Sequence, residues 1–139
     1  MADCLFCSII AGSTTAHVVV DEPDVMAFLD IRPVFKGHTL VVPRPHRGSL
    51  DDLDDDEVGQ LFGTARRVAA AVERALGAGG SWVSLNNRVS QSVPHVHVHV
   101  VPRTKGDGLR GFFWPRTKYD GDDEAAGYAE RLRAAYEQG

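Results

Sequence analysis

No apolar run in this chain approaches the roughly 20 residues that a membrane-spanning helix requires. Met1 to Gly12 also lack the basic start and long apolar centre of a secretory signal, so the expected location is the cytoplasm. Basic charge is not in excess: 15 Lys and Arg against 19 Asp and Glu leave a formal net charge of −4. That balance argues against a nonspecific nucleic-acid binder, which would need a basic face to displace counterions. Cysteine is scarce, with Cys4 and Cys7 alone, and their C-x-x-C spacing leaves a redox pair and half a metal site both open. No repeat, low-complexity tract or linker-like stretch appears, and residues 1–139 are expected to form one domain. What the chain does have is 43% hydrophobic residues, enough for one buried core.

The patterned segments follow in order. Leu5, Phe6, Ile9 and Ile10 recur at helical spacing before Gly12, which suits a short helix with the cysteines at its start. Val18 to Asp21 and Val25 to Asp30 are β-rich runs around the turn residues Glu22, Pro23 and Asp24. Thr39 to Val42 is a third strand, stopped by Pro43. A long helix is expected after the N-cap Asp54, with Glu57 completing a capping box, one apolar face from Val58 to Leu76, and Gly77 as its stop. Trp82 to Asn86 and His95 to Val101 read as the last strands, and Asp122 to Glu137 as a final helix. Gly106 to Tyr119 is irregular, and its Phe112, Phe113 and Trp114 make it a candidate dimer or substrate-rim contact.

The chemistry concentrates in His95-Val96-His97-Val98-His99-Val100-Val101. In a strand, alternate residues share a face and lie about 6.6 Å apart, so the three imidazoles would form a line able to span a phosphate and its substituents. A polar outer strand face explains one histidine well; Thr, Lys or Glu would solvate such a face without three rings side by side. A metal site is a second reading, because H-x-H pairs ligate zinc or copper and His38, His46 and the cysteines could add ligands. Neutral imidazole is also a competent nucleophile near pH 7, and its phosphoramidate is labile, so one difficult displacement can become two easier ones.

Gln91-Ser92-Val93-Pro94-His95-Val96-His97-Val98-His99-Val100-Val101 resembles the signature of the histidine-triad nucleotide hydrolases and transferases. The likeness extends through Cys4-Leu5-Phe6-Cys7, Ala27-Phe28-Leu29-Asp30-Ile31, Lys36-Gly37-His38-Thr39-Leu40-Val41-Val42-Pro43, His46 and Asn86. It implies an α+β fold with a five-stranded antiparallel sheet, one long helix and short terminal helices, the sheets of two subunits pairing in a homodimer. It also implies attack on the α-phosphate of a purine nucleotide derivative: a phosphoramidate, an adenylate or a dinucleoside polyphosphate. Nucleotidyl transfer to a second substrate is a further enzymatic possibility, and a non-catalytic nucleotide- or metal-binding regulatory module is the alternative from another class.

Carried over residue by residue, the resemblance makes His97 the nucleophile, places His99 and Ser92 on the phosphate or leaving group, and includes His95 in the triad. Phe28 and Ile31 would line the base pocket, Asp30 would accept from the ribose hydroxyls, and Asn86 and Gln91 would border the phosphate. His38, after Gly37, reads equally as a buried histidine satisfied by backbone groups or as a nucleotide-site residue that orients the triad. One departure is the loop Asn86-Asn87-Arg88-Val89-Ser90-Gln91, about two residues shorter than is common in the family and carrying Ser90 where glycine is usual. Arg88 is expected to replace the lost backbone contacts with a charge. Some histidine-triad relatives, and the similar galactose-1-phosphate uridylyltransferases, hold zinc through a C-x-x-C pair and two histidines. The matching positions are Cys4, Cys7, His46 and His95, which implies a closed structural zinc site.

Overall fold

Val25, Met26, Ala27 and Phe28 are consecutive and all buried, yet they belong to two different apolar clusters. Val25 and Ala27 face one side of the sheet, Met26 and Phe28 the other. A strand covered on both faces reads as a continuous apolar run, which is what this segment shows. The computed structural model describes residues 3–109 and 116–138, and the chain divides into two units, Met1–Asp107 and Gly108–Gly139.

The first unit contains α1 (Leu5–Ile10), β1 (Val18–Asp21), β2 (Val25–Leu29), β3 (Thr39–Pro43), α2 (Asp55–Leu76), β4 (Gly80–Ser84) and β5 (Val98–Arg103). The strands form one five-stranded sheet in the order β1-β2-β3-β5-β4, with every neighbouring pair antiparallel. This is the α+β architecture that the resemblance implied. The second unit carries α3 (Asp122–Gln138), which buries none of its residues. Phe112, Phe113 and Trp114, the aromatic centre of the proposed contact tract, lie outside the described residues. No helix among the described residues is long and apolar enough to cross a membrane.

Asp54 caps α2 by accepting the Glu57 N–H at 2.8 Å, while the Glu57 carboxylate accepts the Asp54 N–H at 3.1 Å. Asp55, Asp56 and Glu57 also place negative charge where the helix dipole favours it. Gly77 ends the helix in the left-handed region, at φ 66°. Leu61, Ala65, Val68 and Val72 recur at three- and four-residue spacing and bury themselves against Val41, Val96, Val98 and Val100. Each of the larger side chains adds roughly 1.5–3 kcal/mol through burial. The opposite face is covered by α1, whose Phe6 packs with Met26, Phe28, Leu40 and Val42.

The histidine segment differs from its expected form. The ladder begins only at Val98, where β3 pairs through Val41, so His95 and His97 precede the strand. β3 runs on to Pro43, opposite Val96 in this register, but Pro43 has no N–H to continue the ladder and the Arg44 N–H turns to Asp24 O. Other bonds replace the ladder, with the Val96 N–H reaching Arg47 O at 2.7 Å and the His95 ring reaching Pro43 O at 2.8 Å. The two-residue alternation survives. Val96, Val98 and Val100 face α2, whereas the imidazoles meet one another and Phe6 on the other side.

Gly37 precedes β3 with φ 100°, and a Cβ there would lie 2.5 Å from Leu76 Cδ1 and 3.3 Å from Pro102 Cγ. Leu76 is 55% exposed and can swing aside, so backbone strain carries most of the penalty. We expect Gly37→Ala to cost about 1–3 kcal/mol. A urea midpoint equal to that of the wild type would refute this reading.

Candidate active site

His97 is 4% exposed, and its Nδ1 lies 2.8 Å from the carbonyl oxygen of His95. A carbonyl can only accept, so Nδ1 carries the proton and Nε2 keeps the lone pair. Burial pushes the His97 pKa down, opposed by that hydrogen bond and by the Asp30 charge, and the ring is held neutral. A neutral imidazole with one defined bare nitrogen is the form a nucleophile needs.

The same elimination orients its neighbour. The Val34 N–H donates to His38 Nδ1 at 3.1 Å, so the neutral His38 ring carries its proton on Nε2. That nitrogen is 3.0 Å from His99 Nδ1, which must accept, leaving the His99 proton on Nε2. Burial, then the neighbouring His97 and His38, lower the His99 pKa to about 4 against the pull of Asp30, and burial lowers that of His38. Near neutral pH the pair therefore supplies a lone pair on His97 and an N–H donor on His99.

Both rings line a cavity of about 360 Å³. Its apolar wall includes Phe6, Ile9, Phe28, Leu40 and Val93, and its polar end holds Asp30, Ser92, His97 and His99. Such a space suits a flat apolar ring system joined to an anion. Ile31 sits at the rim, 83% exposed. Asp30 accepts the Arg32 N–H on Oδ1 at 2.8 Å and also faces the cavity with its carboxylate. A broader hollow of about 720 Å³ runs past His46, Arg47 and Glu57, but it is open to solvent and holds neither His97 nor His99.

Not every expected residue reaches the cavity. Asn86 is exposed and donates to Ser90 O at 3.3 Å. Gln91 donates to Gly48 O at 2.6 Å and Val93 O at 3.1 Å, and accepts the Arg88 N–H at 2.9 Å. Neither lines the cavity; both brace the loop that carries Ser92. Arg88, expected to bring charge to the phosphates, points its guanidinium at Ser49, 3.3 Å away, and Asp51, 3.1 Å away. Arg88 and Ser90 also adopt left-handed φ angles of 70° and 62°, a conformation that glycine adopts without strain. The shortened loop thus keeps a glycine-like bend without the glycine. The helical spacing of Leu5, Phe6 and Ile9 gave no sign of a role in the site, yet all three line the cavity.

His95 faces away from the cavity. Its Nε2 lies 2.8 Å from Pro43 O and must donate, which leaves Nδ1 bare at 3.5 Å from Cys4 Sγ and 3.6 Å from Cys7 Sγ. Cys7 Sγ is 3.3 Å from His46 Nδ1, and the four donor atoms lie within 4.8 Å of one another. With bonds of about 2.3 Å to sulfur and 2.05 Å to nitrogen, a zinc tetrahedron has a sulfur–nitrogen edge of about 3.6 Å. The spacing and the bare His95 nitrogen fit that ion. Asp30, His38 and His99 form a second close group, but the Val34 N–H occupies one His38 nitrogen and keeps the proton on the other, which suits a hydrogen-bonded relay rather than a metal.

The HIT domain family model matches residues 11–106. The adenosine 5′-monophosphoramidase of Schizosaccharomyces pombe is 32% identical over 114 residues, 81% of this chain and 83% of that protein. The crystal structure of a HIT family protein from Bacillus subtilis superposes with a TM-score of 0.85 at 32% identity, covering 95% of this chain and 96% of that one. A zinc-bound histidine triad family protein from Mycobacterium smegmatis matches with a TM-score of 0.75 at 35% identity, covering 99% and 95%. With His97 and His99 at the polar end of the cavity, His95 behind them, and a family match over most of its length, this chain belongs to the HIT, or histidine triad, family.

Proposed function

We propose that this chain is a nucleotide hydrolase or nucleotidyl transferase in which His97 Nε2 attacks the α-phosphate of a purine nucleotide derivative. The observation that carries the reading is the 2.8 Å bond from His97 Nδ1 to His95 O, which leaves a neutral ring with its lone pair at the cavity wall. A nitrogen–phosphorus bond forms as the bond from phosphorus to the leaving oxygen or nitrogen breaks. The leaving group takes its proton from the His99 Nε2–H or the Ser92 hydroxyl. Water then attacks the nucleotidyl-histidine, the nitrogen–phosphorus bond breaks to return neutral His97, and the proton that water gives up restores His99 or Ser92; an ionised phosphate of a second substrate could attack in its place, the proton then coming back from solvent. The base would stack among Phe6, Phe28 and Ile31, and the ribose hydroxyls would donate to Asp30. Asn86 and Gln91 would act by holding the Ser92 loop, and His38 by orienting His99.

Zinc belongs to the same reading. Cys4, Cys7, His46 and His95 would hold it as a closed structural site with no open position for substrate. A reducing compartment such as the cytoplasm would keep both thiols available. The exposed edge of β4, bearing the 42% exposed Val83, is where two sheets would join in a homodimer. Light scattering that finds only monomer would remove that element of the proposal.

Steady-state turnover on an adenosine phosphoramidate, an aminoacyl adenylate and dinucleoside tri- and tetraphosphates tests the whole. We expect turnover of at least one, with a nucleotide monophosphate as product. No turnover of any, despite measurable nucleotide binding, would leave a binding module instead.

A further inference from the structure

We propose that Cys4 and Cys7 are positioning residues for the nucleotide: the zinc they hold latches α1 against the cavity and so sets nucleotide affinity. This rests on the zinc and nucleotide readings above. α1 is six residues long, well under the length at which a helix is stable alone. Cys4 is its N-cap and Cys7 lies within it, while Leu5, Phe6 and Ile9 of the same helix line the cavity. One short element thus carries two metal donors and three side chains of the binding wall. The other two donors come from His46, beyond β3, and from His95.

The same centre reaches the polar end. His95 offers Nδ1 to the thiols and Nε2–H to Pro43 O, and its carbonyl receives the His97 Nδ1–H. Phe6 packs edge-on against His97, with centroids 5.0 Å apart. A metal at the four donors would therefore tie the apolar wall and the anchor of His97 to one point. Without it, α1 is held by the packing of Phe6, Ile9 and Ile10 alone, and the competent arrangement becomes one of several. Apparent affinity falls in proportion to the competent fraction.

The test titrates AMP, by calorimetry, into full-length protein in three states: zinc-loaded, stripped by a chelator, and stripped then reloaded. Hydrogen exchange is followed over Leu5–Ile10 and over α2 in each. We expect the dissociation constant to rise about tenfold or more on stripping, exchange to quicken in α1 but not in α2, and zinc to reverse both. Cys7→Ser, which lies outside the fully buried core, should show the weak affinity permanently, unrestored by zinc. Equal AMP affinity and equal α1 exchange in all three states overturn the latch alone. A chain that takes up no zinc also overturns it. AMP binding to none of the three overturns the nucleotide reading and the latch together.

Discussion

His97→Ala should lower turnover by about 10⁴-fold or more while AMP still binds within a few-fold of wild type. The expectation follows from how the cavity divides. Its apolar wall is built from Phe6, Ile9, Phe28, Leu40 and Val93, none of which the substitution alters, so the base keeps its contacts. The attacking nitrogen is lost, and His99 cannot stand in for it, because its Nδ1 accepts from His38 and its Nε2 carries the proton. Removing a ring packed 5.0 Å from Phe6 will also lower stability, so folding is checked first by circular dichroism. Quenched reactions of the wild type should show one nucleotidyl group added by mass, and those of His97→Ala should show none. Turnover of the variant within tenfold of wild type would end the covalent mechanism.

Acid should destabilise this protein above the pH at which most carboxylates protonate. The His99 imidazole titrates near 6.5 when unfolded and at about 4 when folded, chiefly because burial disfavours its charged form. Above pH 6.5 both states are neutral and stability is complete. Between 6.5 and 4 the unfolded chain takes a proton that the folded chain refuses, so stability falls across that window. The full loss is about 3 kcal/mol for this one group. His38 shifts in the same direction, while Asp30 opposes both changes. Urea unfolding of wild type and His99→Gln at pH 7 and pH 5 reads the effect of this imidazole together with its coupling to His97 and His38. The wild type should lose more stability than His99→Gln over this interval. Equal losses would show that His99 is protonated in the folded state.

Much of the frame was legible in the residues. Asp54, Glu57 and Gly77 mark both ends of α2 through local hydrogen bonding and local backbone geometry, which depend on nothing distant in the chain. The alternation of His and Val was a guide to which side each residue takes, and Val96, Val98 and Val100 do lie in the core, even though the ladder does not reach His95. What escaped was set by distant partners. The Val96 N–H goes to Arg47 O instead of the ladder, Gln91 finds Gly48 O, and Arg88 finds Asp51 rather than a phosphate path. α1 was readable as a helix, but nothing in Leu5, Phe6 or Ile9 distinguishes a cavity wall from a core face until β2 and β3 are placed beside it.

The bond from Val34 to His38 has a consequence for variation at position 34. The Val34 side chain is 47% exposed, and its contribution to the histidine pair comes through the backbone N–H alone. Almost any residue keeps that group, and proline is the one that lacks it. Saturation mutagenesis scored by activity should therefore find position 34 permissive to nineteen residue types, wild type included, and closed to one. A selective intolerance of proline at an exposed site marks a proton placed by the main chain, and comparison of the histidines alone would never reveal it.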